Sequence, residues 1–473
     1  MQQHCVDLCV IGAGSGGLSV TAAATQMGAA TVLIEKGKMG GDCLNYGCVP
    51  SKSLLASAHA AAAARLGRHF GVDCGAPHID GAQVYAHIRS VIAAIAPNDS
   101  QARFEGLGAT VIHAPARFIG PGEVEAGDHR VKARRFVIAT GSSPLVPAIP
   151  GLEGVPFETN ESIFARETLP RHLIVVGGGP VGMEMAQAHR RLGAEVTVLQ
   201  KGRVLPRDDP ELTAILRDLL ASEGIRIVEE ADAVAVEKTA SGVAARVRVN
   251  GKEERIEGSD LLISAGRKPT IDGLGLGAAG IAYTSKGVVV DARLRTTNRH
   301  VFAIGDAAGP YRFTHMAGYH AGIVIRNALL RLPSKVDYRA VPWVTYTAPE
   351  LAHVGLSEQQ ARDHGHAIRV LRWPFHENDR AQAERTTDGL VKVIATPRGR
   401  VLGASILGPH AGDLVQTWSL AITEKLKVSA IAGMIAPYPT LGEANKRAAG
   451  SFYTAALFGP KVRRLVRFLS HFG

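Results

Sequence analysis

Val6-Asp7-Leu8-Cys9-Val10-Ile11-Gly12-Ala13-Gly14-Ser15-Gly16-Gly17 is an apolar run that breaks on a glycine-rich turn. Leu18 to Met27 then follow a small-residue helix pattern, and Ala30 to Ile34 form a second apolar run ending at Glu35. The series recurs from Leu173: an apolar run to Val176, then Gly177-Gly178-Gly179-Pro180-Val181-Gly182, a helix pattern to Leu192, and a strand pattern from Glu195 to Leu199. A lone G-x-G-x-x-G carries little information. Here each copy follows a strand, opens a helix and meets another strand within about thirty residues, the context a dinucleotide turn requires. Glycine permits the tight turn and lets backbone N–H groups approach a pyrophosphate, while the helix N-terminus adds positive partial charge. Two dinucleotide sites are therefore expected, one on Gly12, Gly14, Ser15, Gly16 and Gly17, the other on Gly177, Gly179, Pro180, Val181 and Gly182.

The ends of the second strands separate the two ligands. Glu35 lies 23 positions after Gly12, where a carboxylate binds a ribose 2′-hydroxyl, and Lys36 follows it. Gln200 lies 23 positions after Gly177; it has no charge to repel a 2′-phosphate, and Lys201 and Arg203 stand beside it. That charge pattern leans toward NADPH over NADH.

A chain of 473 residues predicts about three domains. The net charge of +10 admits a nucleic-acid partner, but no basic run is interleaved with aromatics, so none is expected. Five cysteines are too few for a secreted disulfide scaffold of this length. The first strand begins with no signal-peptide pattern before it, and no apolar run reaches membrane-spanning length, so the cytoplasm is expected. Lys461-Val462-Arg463-Arg464-Leu465-Val466-Arg467-Phe468-Leu469 reads as a basic amphipathic helix. Such a segment either makes weak contact with anionic lipid or docks on its own domain, and docking is the expectation.

Gly40-Gly41-Asp42-Cys43-Leu44-Asn45-Tyr46-Gly47-Cys48-Val49-Pro50-Ser51-Lys52 follows Glu35 almost at once. The two thiols read as metal ligands, inert groups or a redox couple. A structural zinc site needs two more ligands, and no second C-x-x-C or paired histidine cluster occurs, so no resident metal is expected. The glycine-flanked loop, with Pro50 and Ser51 resembling a helix start, favours a disulfide at a helix N-terminus, with inert thiols as the alternative.

GGDCLNYGCVPSK is similar to the active-site signature of the class I flavoprotein disulfide reductases, which include dihydrolipoyl dehydrogenase, glutathione reductase and mercuric reductase. The resemblance runs through nearly the whole chain in order. Ala139-Thr140-Gly141 resembles the motif that crosses beneath FAD, Gly266-Arg267-Lys268-Pro269 the exit of the nicotinamide domain, and Val301-Phe302-Ala303-Ile304-Gly305-Asp306 the second FAD motif, whose aspartate holds the ribitol chain. The resemblance implies that FAD is also met by Gly41, Asp42, Cys43, Lys52, Ala116, Thr314, His315 and Ala317. It implies that Cys48 faces the flavin as a thiolate, that Cys43 is the exposed thiol attacking substrate, and that Lys52 and Glu184 pair where hydride arrives. Gly182 is the residue seen more often in NADH sites of related enzymes, and so opposes the charge pattern around Gln200.

The resemblance also has gaps. Dihydrolipoyl dehydrogenase and glutathione reductase carry His-Pro near the C-terminus, followed by a glutamate. This chain reads Pro437-Tyr438-Pro439-Thr440-Leu441-Gly442-Glu443. A tyrosine of pKa ~10 is a poor base at neutral pH, whereas imidazole titrates at ~6.5. Mercuric reductase is similar to this chain in having Pro-Tyr, Thr and Glu there. Its C-terminal vicinal cysteines are missing from Leu469-Ser470-His471-Phe472-Gly473, and Tyr46 and Pro180 are further departures. A mercuric-reductase-like core without metal-delivery apparatus is the expectation, with Tyr438 and Glu443 completing the site of the other subunit in a homodimer. The substrate expected is a disulfide or a thiol-bound metal ion; the alternatives are a dihydrolipoyl dehydrogenase and a membrane-associated flavoprotein partner.

The fold expected is α/β, with two doubly wound Rossmann-type nucleotide-binding domains, for FAD and NAD(P), and a C-terminal α+β dimerisation domain. Residues 1–150 and 270–340 would form the FAD domain, 151–269 the NAD(P) domain and 341–473 the dimerisation domain.

Overall fold

The computed structural model describes residues 1–472. Backbone packing divides them into two compact units. The first comprises residues 1–177, 188–201 and 231–336, and the second 178–187, 202–230 and the described residues from 337 on.

In the first unit the strand Gln2–Ile11 lies parallel to Thr31–Glu35 on one side and His129–Ile138 on the other. Ala109–His113 extends the sheet beyond Thr31–Glu35, and Val301–Ala303 pairs with His129–Ile138. Side chains alternate across the pleat. Leu8 and Val10 join Leu18, Val20 and Ala24 of the helix Ser15–Gln26, with Val324 and Ala328 of the helix Thr314–Ala328. Cys9 and Ile11 point into the opposite core with Phe118, Val124 and Phe136. Over Leu8 to Ile11 both faces are covered, which is why that part of the strand reads as an unbroken apolar run rather than an alternating one.

A second parallel set, Glu195–Leu199 beside His172–Val176 beside Asp260–Ile263, follows the second glycine-rich series. Its neighbour in sequence is an antiparallel sheet of Ala231–Thr239, Gly242–Val249 and Lys252–Gly258. The two turns that seemed equivalent in sequence are equivalent in conformation. Gly12 has φ +104° and a Cβ there would lie 2.4 Å from the Ala139 carbonyl oxygen; Gly177 has φ +114° and the same 2.4 Å from that of Ser264. No other residue fits either place.

The second unit is built on a five-stranded antiparallel sheet in the order Pro342–Thr345, Glu350–Gly355, Val401–Gly408, Leu390–Ala395, Arg369–Pro374. Helices Ala411–Thr423 and Glu443–Leu457 supply its core through Val415, Trp418, Ala444 and Ala448, and the Trp418 indole donates to Asn445 Oδ1 at 2.7 Å. Lys392, 4% exposed, is neutralised by Asp209 at 2.8 Å, Glu211 at 2.9 Å and Glu358 at 3.1 Å, as a buried ammonium requires.

One expectation is corrected here. Pro460–Leu469 is helical as read, but it does not dock: none of its residues is buried. Among the described residues no helix is long and apolar enough to cross a membrane.

Candidate active site

The cysteine loop is shaped by glycine. Gly40 and Gly41 both have positive φ, and the Gly40 N–H donates to the Ala13 carbonyl at 3.0 Å. A Cβ on Gly41 would lie 2.7 Å from Gly14 Cα, so the loop rests backbone against backbone on the first dinucleotide turn. That contact sets Cys43, in the short helix Gly41–Asn45, beside the turn, and Cys48 opens the helix Cys48–Leu66.

The Cys48 thiol is driven down to about 6, first by the hydrogen bond from Cys43, then by Thr314 and the Lys52 ammonium; burial and Asp42 oppose this. Thr314 Oγ1 is 3.4 Å from Cys48 Sγ. The same coupling, with burial, pushes the Cys43 thiol far up. The helix N-terminus favours the thiolate further. One sulfur is therefore a thiolate at neutral pH and the other its proton donor. In the chain alone Cys48, on the first turn of its helix, is exposed and Cys43 is half-buried.

Four motifs far apart in sequence converge next to Cys43. Asp42 Oδ1 accepts from Asn160 Nδ2 at 3.0 Å and pairs with Arg267 at 3.1 Å. Arg267 also donates to the Ser142 hydroxyl at 2.7 Å and its carbonyl at 2.8 Å, and Ser142 in turn donates to Asp306 at 2.5 Å. Burial pushes the Asp306 carboxyl above its ordinary range, opposed by Ser142 and Arg267. Ser142 and Asn160 were not singled out from sequence; neither has a signal beyond following Gly141 or preceding Glu161. His320 was also missed. It is buried, accepts from the Gly305 N–H at 3.1 Å and is driven down to about 4 by burial, so a neutral imidazole holds the turn before Asp306.

These residues fit FAD. The helix Ser15–Gln26 has neither a side-chain cap nor an acidic residue in its first turn, so its N–H donors are left for a phosphate. The Glu35 carboxylate takes the Ala13 N–H at 2.6 Å and the Gly37 N–H at 2.7 Å, fixing it at the strand end with lone pairs to spare for ribose hydroxyls. Thr140 Oγ1 is buried without a protein partner among the described residues. Ala317 packs where Gly16 and Gly305 leave room, His315 stacks on Phe313 at 5.1 Å, Lys36 is exposed, and Ala116 sits half-buried opposite Ala126.

In the second series Val181 is 43% exposed and Pro180 is exposed. Lys201, expected to favour a 2′-phosphate, is 82% exposed and lies 3.6 Å from Asp232, a weak pair that partly offsets its charge. Glu184 is not the exposed helix carboxylate that a chance acid would be: it is 4% exposed and accepts from the Tyr346 N–H at 3.0 Å.

Tyr438 is 70% exposed and its hydroxyl donates to Asp379 Oδ2 at 2.8 Å. That bond, reinforced by the charges of Asp379 and Glu443, raises the phenol above its ordinary pKa. Asp379 opens a short helix, Asp379–Glu384, and nothing in sequence tied it to residue 438. Glu443 begins the helix Glu443–Leu457, half-buried.

Residues 6–321 match the model of the pyridine nucleotide-disulphide oxidoreductases, and residues 341–449 match the dimerisation domain of the same group. The chain belongs to this family. It is a flavoprotein disulfide oxidoreductase, and its family implies FAD and a nicotinamide nucleotide. Mercuric reductase of Streptomyces lividans is 35% identical over 454 residues, covering 94% of this chain and 96% of the relative. Mercuric reductase of Bacillus cereus is 34% identical over 449 residues, covering 94% and 71%. Dihydrolipoyl dehydrogenase of Geobacillus stearothermophilus is 34% identical over 447 residues, covering 93% and 94%. Among solved structures, the Cu(II) complex of the HOCl-induced flavoprotein disulfide reductase RclA from Escherichia coli matches with TM-score 0.83 at 27% identity, covering 93% of this chain and 99% of that one. LpdA from Mycobacterium tuberculosis matches with TM-score 0.86 at 28% identity, covering 94% and 99%.

Proposed function

We propose that the protein is an NAD(P)H-dependent reductase of a thiol-bound metal ion or a disulfide, acting through Cys43 and Cys48, rather than a dihydrolipoyl dehydrogenase. Tyr438 carries this reading. Oxidising a dithiol requires a base that accepts a thiol proton near neutral pH. A phenol held as a donor to Asp379, with its pKa raised, cannot serve. It can donate a hydrogen bond or a proton to a thiolate released in the reducing direction. Relatives named mercuric reductase and the Cu(II) complex of RclA accord with a metal substrate, but relatives named dihydrolipoyl dehydrogenase are as similar, so the choice rests on Tyr438.

FAD, when bound, supplies the two-electron relay between the nicotinamide and the cysteine pair. The chain's own groups do the rest. Lys52, one turn after Cys48, steadies negative charge on that sulfur. Reduction converts the Cys43–Cys48 disulfide to a thiolate and a thiol. Cys43 then attacks the substrate disulfide, or replaces a thiol ligand on the metal ion, and its proton leaves on the first thiolate released. The mixed species collapses as Cys48 re-forms the disulfide and two electrons leave on the substrate, with Tyr438 protonating the departing thiolate. In a homodimer, Tyr438 and Glu443 would serve the other subunit. Gln200 and Arg203 favour NADPH at least as well as NADH.

Stopped-flow mixing of the two-electron-reduced enzyme with Hg(II), Cu(II), lipoamide and glutathione disulfide tests the reading. Reoxidation is expected to be fastest with a thiol-bound metal ion. Turnover of dihydrolipoamide at a rate matching metal reduction would overturn it.

A further inference from the structure

The helix Pro460–Leu469 has two faces of opposite character, and none of its residues is buried among the described residues. Val462, Leu465, Val466 and Leu469 recur at the spacing that puts them on one stripe, and Phe468 and Phe472 border it with their rings 5.2 Å apart. Leu465 is 53% exposed, Val466 59%, Phe468 58%, Leu469 52% and Phe472 74%, an apolar surface that soluble proteins seldom leave uncovered. Arg463, Arg464 and Arg467 occupy the opposite face, and among the described residues no carboxylate pairs with any of them. After Glu443 no acidic residue occurs, whereas Lys446, Arg447, Lys461 and the three arginines do.

We propose that this helix is a docking surface for an anionic lipid bilayer, lying in the plane of the headgroups with its leucine stripe toward the acyl chains. Charge chooses among possible occupants. A second copy that packed this helix on its own equivalent would bring arginine against arginine, since no acidic residue follows Glu443 to pair with them. A nucleic acid would satisfy the arginines and leave the apolar stripe in water. An anionic membrane satisfies both: the arginines reach phosphates at the rim while the stripe leaves water. At 10 residues the helix is about 15 Å long, too short to span a bilayer, so the attachment is peripheral and reversible.

Co-sedimentation of the purified full-length holoenzyme tests the proposal. The probes are vesicles of phosphatidylcholine alone, and of phosphatidylcholine with about one-third phosphatidylglycerol as the anionic lipid. The protein is expected to pellet with the anionic vesicles only, and to be released at about 1 M salt, where the screening length falls to roughly 3 Å. Leu465→Glu and Leu469→Glu should each lower partitioning at least about tenfold, and Arg463→Ser about fivefold. Flavin absorbance and NAD(P)H-dependent turnover should be unchanged in all three, since these side chains are exposed. Failure of the wild type to pellet, or equal pelleting of wild type and Leu465→Glu, would overturn the proposal. So would conversion of dimer to monomer by Leu465→Glu without lipid, which would make a second copy the occupant.

Discussion

Around Cys43 and Cys48 the neighbours are fixed by backbone and by ion pairs: Gly41 against Gly14, Asp42 against Asn160 and Arg267, Cys48 on the first turn of a long helix. Around Tyr438 there is little of this. The side chain is 70% exposed, Ile435 nearby is 97% exposed, and the phenol is held by one hydrogen bond to Asp379. The first region sets the redox chemistry of the pair before any substrate arrives. In the proposed function the second would meet whatever the pair reduces, and there the sequence departs from the dehydrogenase pattern. Relatives bearing either name share about a third of their residues with it, so overall identity does not choose between them, and the decision rests on a few side chains in the second region.

The largest effects are expected in the fixed region. Cys48→Ser should abolish turnover and the long-wavelength absorbance that a thiolate beside flavin gives in the two-electron-reduced enzyme; Cys43→Ser should lose turnover and keep the band. Since the Cys48 thiol is driven down to about 6, the band should be full at pH 8 or so and fade as pH falls through about 6, where the thiolate takes up its proton. Because the Cys43 hydrogen bond is the largest cause, Cys43→Ala should move that midpoint upward. A band retained in Cys48→Ser would show that the assignment of the two sulfurs is wrong.

The comparison sharpens at Tyr438→His. A base restored there should raise dihydrolipoamide oxidation at pH 7, by up to the ~10²–10⁴-fold that positioned acid–base catalysis supplies. Metal reduction should fall in the same variant. The gain depends on Glu443 and Pro439 holding the imidazole in place. Tyr438→Phe with undiminished metal reduction would make the phenol a packing residue, and the second region would then not decide the substrate.

The sequence was most legible where backbone conformation leaves one residue type. Gly12 and Gly177 share a positive φ, +104° and +114°, and the same clash distance, so two dinucleotide turns could be read without a structure. Cys43, Cys48 and Lys52 are close in the chain, and their grouping needed only a helix start at Cys48. What stayed hidden depends on long-range closure. Ser142, Asn160 and His320 are ordinary polar residues until the chain brings them to Asp306, Asp42 and Gly305. Asp379 lies 59 positions from Tyr438, with no period linking them. The tail failed differently: its amphipathic pattern was clear, but a pattern does not say what covers the apolar face, and no part of the described chain does.

Gln200→Glu reaches neither region directly and should leave the sulfur chemistry intact. A carboxylate at the strand end repels a 2′-phosphate at a cost of about 1–3 kcal/mol, so kcat/KM for NADPH should drop relative to NADH by roughly five- to a hundredfold. Asp232, which draws on Lys201, would limit the wild-type preference, and Asp232→Asn should increase it. An unchanged ratio in Gln200→Glu would place nucleotide selection elsewhere.

The smallest expected effect separates the two regions most finely. In Asp379→Asn the phenol keeps a hydrogen-bond acceptor but loses the negative charge that raises its pKa, so Tyr438 should titrate lower, back toward ~10. An easier proton loss makes the phenol a better acid toward a departing thiolate, and the rate gained is a few-fold, because at neutral pH the phenol is fully protonated in both proteins. The response should appear in the alkaline limb of the metal-reduction profile, which should bend at lower pH as tyrosinate forms sooner. Ultraviolet difference titration against Tyr438→Phe would locate that midpoint independently. The absorbance band of the reduced cysteine pair should not move, since Cys48 draws its acidity from Cys43, Thr314 and Lys52. A shift of the Cys48 midpoint in Asp379→Asn would mean that the exposed region sets the potential of the fixed one, and the division between a preset redox pair and a separate substrate-facing acid would fail.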